Sequence, residues 1–141
     1  MVSKLPSIRQ IMASLILPDS SFYITATRTG RDPFLELSAK MDVYEYATCG
    51  MVQIEVLRGR RDPNVLRRFR DTFAVMIYIA SSNAIWERAT QLAWALDRKG
   101  VVLPATDLVI AACALQVGAT VLTLDAHFKQ VPGLDVIETL D

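Results

Sequence analysis

"LPATDLVIAACALQVGATVLTLDAHF", residues Leu103 to Phe128, sets out most of an architecture in one line. A helix is expected from about Pro104 through "TDLVIAACALQV", and Gly118 closes it, since glycine takes the left-handed conformation at a helix end without a steric cost. "TVLTLD" then reads as a buried strand, β-branched and leucine residues following one another with almost nothing polar between them. A helix feeding a strand with no wet face belongs to an α/β domain, whose largely parallel sheet is covered on both sides. The strand stops on a carboxylate, Asp125, and the chain's one histidine, His127, follows two residues later.

The same alternation continues outward. "SLILP" (14–18) is a short buried strand, and Asp32 before Pro33 is a cap followed by a first-turn proline that leads into "FLELSAK". "DVYEYA" has strand composition, and Thr48 can cap a helix through "CGMVQIEVLRG" that Gly59 ends. "PNVLRRFRDTF" is a short helix and "VMIYI" a strand. From Asn83 to about Lys99, Ile85, Ala89, Leu92 and Leu96 recur at helical spacing, with Gly100 as the stop. "AHFKQVPG" reads as a loop and "DVIE" as a final edge strand. Ahead of the first strand, Leu5, Ile8 and Met12 could form a docking turn of helix.

With 141 residues, 52% of them hydrophobic, the chain has material for one well-filled core and no second domain. Fifteen basic residues balance fifteen acidic ones, so overall charge points to no nucleic-acid or membrane partner, and any basic patch must be local. Cys49 and Cys113 lack metal-ligand spacing and read as small buried hydrophobes, which fits a reducing cytoplasmic compartment. No apolar run approaches the ~20 residues of a membrane span.

Four acids sit where apolar residues prevail. Asp19 and Asp125 each end a strand, and ligands of open α/β sheets bind outside the carboxyl ends of the strands. For either one, a plain helix or turn cap is the competing explanation. Glu55 lies on a helix that is apolar nearly all round, where a lone buried carboxylate costs several kcal/mol; the alternative is a wet edge and a pair with Arg58. Asp107 opens a helix, where favourable interaction with the helix dipole would suffice to explain it. If the four converge, pairs ~4 Å apart repel by roughly 4 kcal/mol at an effective dielectric of 20. A proton or a cation must relieve that. An all-oxygen donor set favours Mg²⁺ or Mn²⁺ over zinc.

In these motifs the chain resembles the PIN-domain family of metal-dependent ribonucleases, and within it the toxins of VapBC-type toxin and antitoxin systems. "PDSSFYI" resembles the first block, with Asp19 as first acid and Ser21 as its small polar neighbour. "TCGMVQIEVLRG" looks like the helix that bears the second acid, Glu55. "LPATDLVIAACALQVGATVLTLDAHF" supplies Asp107 and Thr123-x-Asp125, and "VPGLDVI" resembles the closing loop and strand.

The resemblance spans about residues 14–138 and implies a PIN-like three-layer α/β/α domain over 14–141, with 1–13 as an N-terminal extension. It implies an endoribonuclease whose Asp19, Glu55, Asp107 and Asp125 bind Mg²⁺ or Mn²⁺ and carry catalysis, with Ser21 and Thr123 orienting the carboxylates. It also implies an antitoxin partner and a homodimer. Many relatives have an acid where this chain has His127, although histidine before phenylalanine is also familiar there; the residue reads as a surface-loop histidine or, more sharply, a phosphate contact.

Arg28 and Arg31 follow Asp19, and Arg58, Arg60, Arg61, Arg67, Arg68 and Arg70 follow Glu55. They could bind RNA phosphates or an acidic antitoxin segment, against the alternative of a solvated helix face. Trp86 and Trp94, on the long helix, suggest core edge or dimer interface. Two other readings stay open: a non-catalytic α/β binding module whose acids merely cap helices, and a PIN-like nuclease acting on DNA, since carboxylates do not read a 2'-hydroxyl.

Overall fold

The computed structural model describes residues 15–141; the expected N-terminal extension, with its docking turn, lies outside the described residues. Five strands, β1 (Leu15–Pro18), β2 (Glu45–Cys49), β3 (Ile77–Ile79), β4 (Thr120–Leu122) and β5 (Val136–Ile137), form one sheet in the order β3-β2-β1-β4-β5. Every neighbouring pair is parallel.

Helices α1 (Ser20–Arg28), α2 (Pro33–Ser38), α3 (Gly50–Leu57), α4 (Pro63–Ala74), α5 (Asn83–Arg98) and α6 (Ala105–Val117) flank the sheet and make a three-layer α/β/α domain. The chain steps from β1 out to β2 and β3, then crosses back to β4 on the other side of β1. That reversal places a topological switch point between β1 and β4, the usual crevice in such sheets. Registers Leu17 with Val121 and Pro18 with Leu122 bring the two strand ends level.

Burial explains why these segments take these forms. Leu108 to Ala114 of α6 are buried without a break. The helix is small and apolar enough to be enclosed, and it packs along α5. Gly118 ends it at φ 69°, the left-handed conformation. On the other flank Tyr23 of α1 is fully buried and meets Phe73 of α4 edge to face at 5.2 Å, with Phe34 of α2 beside both. This aromatic cluster fixes α1, whose first turn begins at the switch point.

Several local expectations change. Thr48 caps nothing: it is buried inside β2, its hydroxyl has no hydrogen-bond partner, and α3 starts at Gly50 with no side-chain cap on Cys49. The pull of parallel pairing with Ala47, Thr48 and Cys49 against β3 extends β2 beyond "DVYEYA". Residues 20–28, which carry no clear periodicity, become α1 because Asp19 accepts from Phe22 N and starts the helix. "AHFKQ" closes into a short 3₁₀ helix rather than an open loop. Trp86 and Trp94 project outward, 49% and 63% exposed, and take no part in the core.

Candidate active site

Three of the four acids are set by the start or end of an element, and Glu55 lies within α3. Asp19 directly follows β1, caps α1 and is 2% exposed. Both of its oxygens are engaged: Ser21 Oγ donates to Oδ1 at 2.6 Å, and Thr123 Oγ1 donates to Oδ2 at 2.9 Å. Each hydroxyl carries one proton, so the 3.2 Å approach of Ser21 Oγ to Thr123 Oγ1 is not a further simultaneous bond. Thr123 Oγ1 in turn accepts from the Asp125 N–H at 2.9 Å. A single hydroxyl thus ties the end of β1 to the segment after β4.

Asp125 caps the 3₁₀ helix through the His127 N–H at 2.9 Å. The cap explanation for Asp19 and Asp125 is therefore geometrically true, and it leaves the site in place, because capping uses only one oxygen of each. Asp107 stands in the first turn of α6. His127 Nδ1 lies 2.9 Å from Asp107 Oδ2 and 3.2 Å from Asp125 Oδ1. Ligand atoms of Asp107, Asp125 and His127 all fall within 4.8 Å of one another, a triplet to which Asp19 and Glu55 do not belong. Side-chain exposure rises outward across it, from 14% at Asp107 through 34% at Asp125 to 43% at His127.

Glu55 stands outside that triplet and is linked to Asp19 only through a neighbouring residue. Its Oε1 accepts from Ser20 Oγ at 3.0 Å, and Ser20 is the residue after Asp19. The contact follows from α1 packing on α3. No pair between Glu55 and Arg58 forms.

Charge is unbalanced here. Burial pushes the Asp19 carboxyl up to about 6; bonds from Ser21, Thr123 and the Phe22 N–H oppose the rise, and the charge of Asp107 adds to it. Asp107 is likewise raised by burial, with His127 opposing and Asp125 adding. His127 is raised by its bond to Asp107, with both carboxylates contributing. Among the described residues no lysine or arginine pairs with any of these acids. Convergent carboxylates that lack a fixed cation fit a divalent ion, so the donor set present is compatible with one.

Sequence reasoning set His127 aside on a surface loop. It is indeed half exposed, but its ring faces the acids. Ser20 has no place among the residues expected from the sequence. Neither carries a sequence signal of its own: the first depends on the 3₁₀ turn, the second on helix packing.

The arginines divide. Nine residues of α1 carry Arg28 about 13 Å along the helix from Asp19, and Arg31 pairs with Glu36 at 3.0 Å. Arg68 is held by Asp32. Arg60 lies 5.4 Å over the Phe69 ring and donates to the Val56 carbonyl. Arg58, one turn beyond Glu55 at the end of α3, is exposed with no ion pair among the described residues. Arg61 is exposed in the turn that follows.

The family model described as "PIN domain" matches residues 16–134. The chain belongs to the PIN-domain family. Among solved structures, this PIN domain is similar to VapBC2 from Rickettsia felis, bound to a DNA fragment from its promoter, at 21% identity and TM-score 0.72, over 87% of this chain and 97% of that one. It is also similar to the DNA-bound VapBC of Salmonella typhimurium, at 18% identity and TM-score 0.71, over 89% and 97%. A third is VapC20 of Mycobacterium tuberculosis, described as a Sarcin-Ricin loop cleaving toxin, at 15% identity and TM-score 0.59, over 81% and 92%. At these identities the likeness is one of fold. No curated protein sequence matches the chain. No helix among the described residues is long and apolar enough to cross a membrane.

Proposed function

We propose that this PIN domain is a Mg²⁺- or Mn²⁺-dependent endoribonuclease, acting in the cytoplasm as the toxin of a toxin–antitoxin pair. The observation that carries the reading is the meeting of Asp107, Asp125 and His127 at the switch point, with the Asp125 N–H tied through Thr123 Oγ1 to the buried Asp19. Asp19, Asp107 and Asp125 would hold the cation, with Glu55 completing the acid set from α3. Bound there, the ion would neutralise charge on the scissile phosphate and lower the pKa of the attacking water.

The protein's own groups do the rest. Ser21 and Thr123 hold both Asp19 oxygens, so the carboxylate presents one face without rotating. Ser20 holds one oxygen of Glu55. Burial of Asp19 means its charge is stabilised by a cation more than by water, which favours capture of the ion. Arg58 supplies positive charge one turn beyond Glu55 for a phosphate backbone.

The antitoxin partner rests on the likeness to VapBC structures, a family described as toxin-antitoxin systems. A homodimer would give the outward Trp86 and Trp94 a dry surface to meet. Free, buried Cys49 and Cys113 suit a reducing compartment.

The test is direct. Purified protein with Mg²⁺ or Mn²⁺ should cut RNA, while Asp125→Asn and Asp107→Asn should fold and not cut. Undiminished cleavage by both variants would remove this site from the reaction, and cleavage of DNA with RNA left whole would reassign the substrate.

A further inference from the structure

His127 is the one nitrogen donor among the acids, and its placement is fixed rather than incidental. Its backbone N–H is held by Asp125 at 2.9 Å, and the next residue, Phe128, is 1% exposed and pins the 3₁₀ helix to the domain. The ring therefore meets Asp107 and Asp125 together, at 2.9 and 3.2 Å.

Those spacings have a meaning for a shared ion. Donors at neighbouring corners of an octahedron with bonds of ~2.1 Å stand about 3 Å apart, and donors at opposite corners stand about 4.2 Å apart. The three ligand atoms, all within 4.8 Å of one another, can meet one cation without any side chain leaving its element.

Resting on the nuclease reading above, we propose that His127 Nδ1 is a direct ligand of the divalent ion, shared with Asp107 and Asp125, and that it tilts the site toward Mn²⁺ over Mg²⁺. Imidazole nitrogen suits the transition ions, whereas an all-oxygen set suits Mg²⁺ at least as well. The chemistry of the site is thereby mixed nitrogen and oxygen, and its metal preference is set by one side chain on the rim.

The test loads the full chain with Mn²⁺ and reads the ion itself by pulsed electron paramagnetic resonance. The wild type should show hyperfine coupling to a directly bound nitrogen. His127→Asp and His127→Gln should both bind Mn²⁺ without that coupling. In His127→Asp, the Mg²⁺ concentration needed to displace Mn²⁺ should fall by at least about tenfold, the loss that disturbing even an outer partner of a metal ligand brings. Mn²⁺ that binds the wild type, is lost in Asp107→Asn and yet shows no nitrogen coupling would overturn the His127 ligand and leave the nuclease reading standing. A wild type that takes up Mg²⁺ but no Mn²⁺ would overturn the His127 ligand alone, and one that takes up neither ion would overturn both.

Discussion

Thr123 Oγ1 donates to Asp19 Oδ2 at 2.9 Å across 104 residues of sequence. The same oxygen accepts from the Asp125 N–H at 2.9 Å. One hydroxyl so links the first and last acids of the site, and its loss should be felt by both. Thr123→Val keeps the shape and removes the bond, leaving a buried carboxylate oxygen and an N–H unpaired. The variant should lose about 1–3 kcal/mol of stability in urea and most of its cleavage. Thr123→Ser, which keeps the hydroxyl, should retain both. A valine variant as stable and active as the wild type would show that the link does nothing.

Asp19 gives a pH signature. Burial raises its pKa to about 6 in the folded protein, so the folded state holds this proton more tightly than the unfolded chain does. The group's contribution to stability is complete below the ordinary carboxylate pKa and is lost as pH rises through about 6. Without metal, Asp19→Asn should therefore gain on the wild type by about 1 kcal/mol between pH 5 and pH 7.5, and at the upper pH be the more stable by as much as about 3 kcal/mol. It should also fail to cut RNA. Parallel urea melts of the two proteins check this, and a gap that stays constant with pH would contradict it.

Ser20 is expected to act on rate rather than fold. Its bond to Glu55 at 3.0 Å is only partly buried, so Ser20→Ala should cost less than about 1 kcal/mol. With Glu55 free to rotate, kcat should fall several-fold while KM for an RNA oligonucleotide stays near the wild-type value. A change confined to KM would place Ser20 in substrate binding instead.

Arg58 and Arg60 should separate in function although they are two residues apart. Arg58 is exposed beside Glu55, so Arg58→Ala should weaken RNA binding evenly across sequences and reduce the salt slope by about one. Arg60 is committed to the Phe69 ring and the Val56 carbonyl. Arg60→Ala should leave the salt slope alone and lower stability by about 0.5–1 kcal/mol. Binding isotherms at several salt concentrations, with thermal melts, distinguish the two.

Much of the frame is legible in residue order. Pro33, Gly100 and Gly118 mark helix boundaries through backbone restrictions that do not depend on context. The unbroken apolar run of β4 can only lie inside a covered sheet. Asp19 and Asp125 are visible because a carboxylate at the end of such a run is out of character. Thr48 is misread as a cap because Ser or Thr before a helix often caps it, whereas pairing with β3 carries the strand through it. The helix after Asp19 is missed because "SSFYITATR" has a mixed face, and burial of Tyr23 against Phe73 outweighs its weak periodicity.

The sequence by itself determined the α/β alternation, the punctuation of its elements and the four carboxylates, since these follow from hydropathy period and local backbone preference. Only the tertiary structure decided that β1 and β4 are neighbours, that Thr123 reaches Asp19, that Ser20 holds Glu55 and that the His127 ring meets both Asp107 and Asp125. Those relations depend on strand order and helix packing, which arise from contacts between residues far apart in the chain, and no local pattern encodes a distance across the sheet.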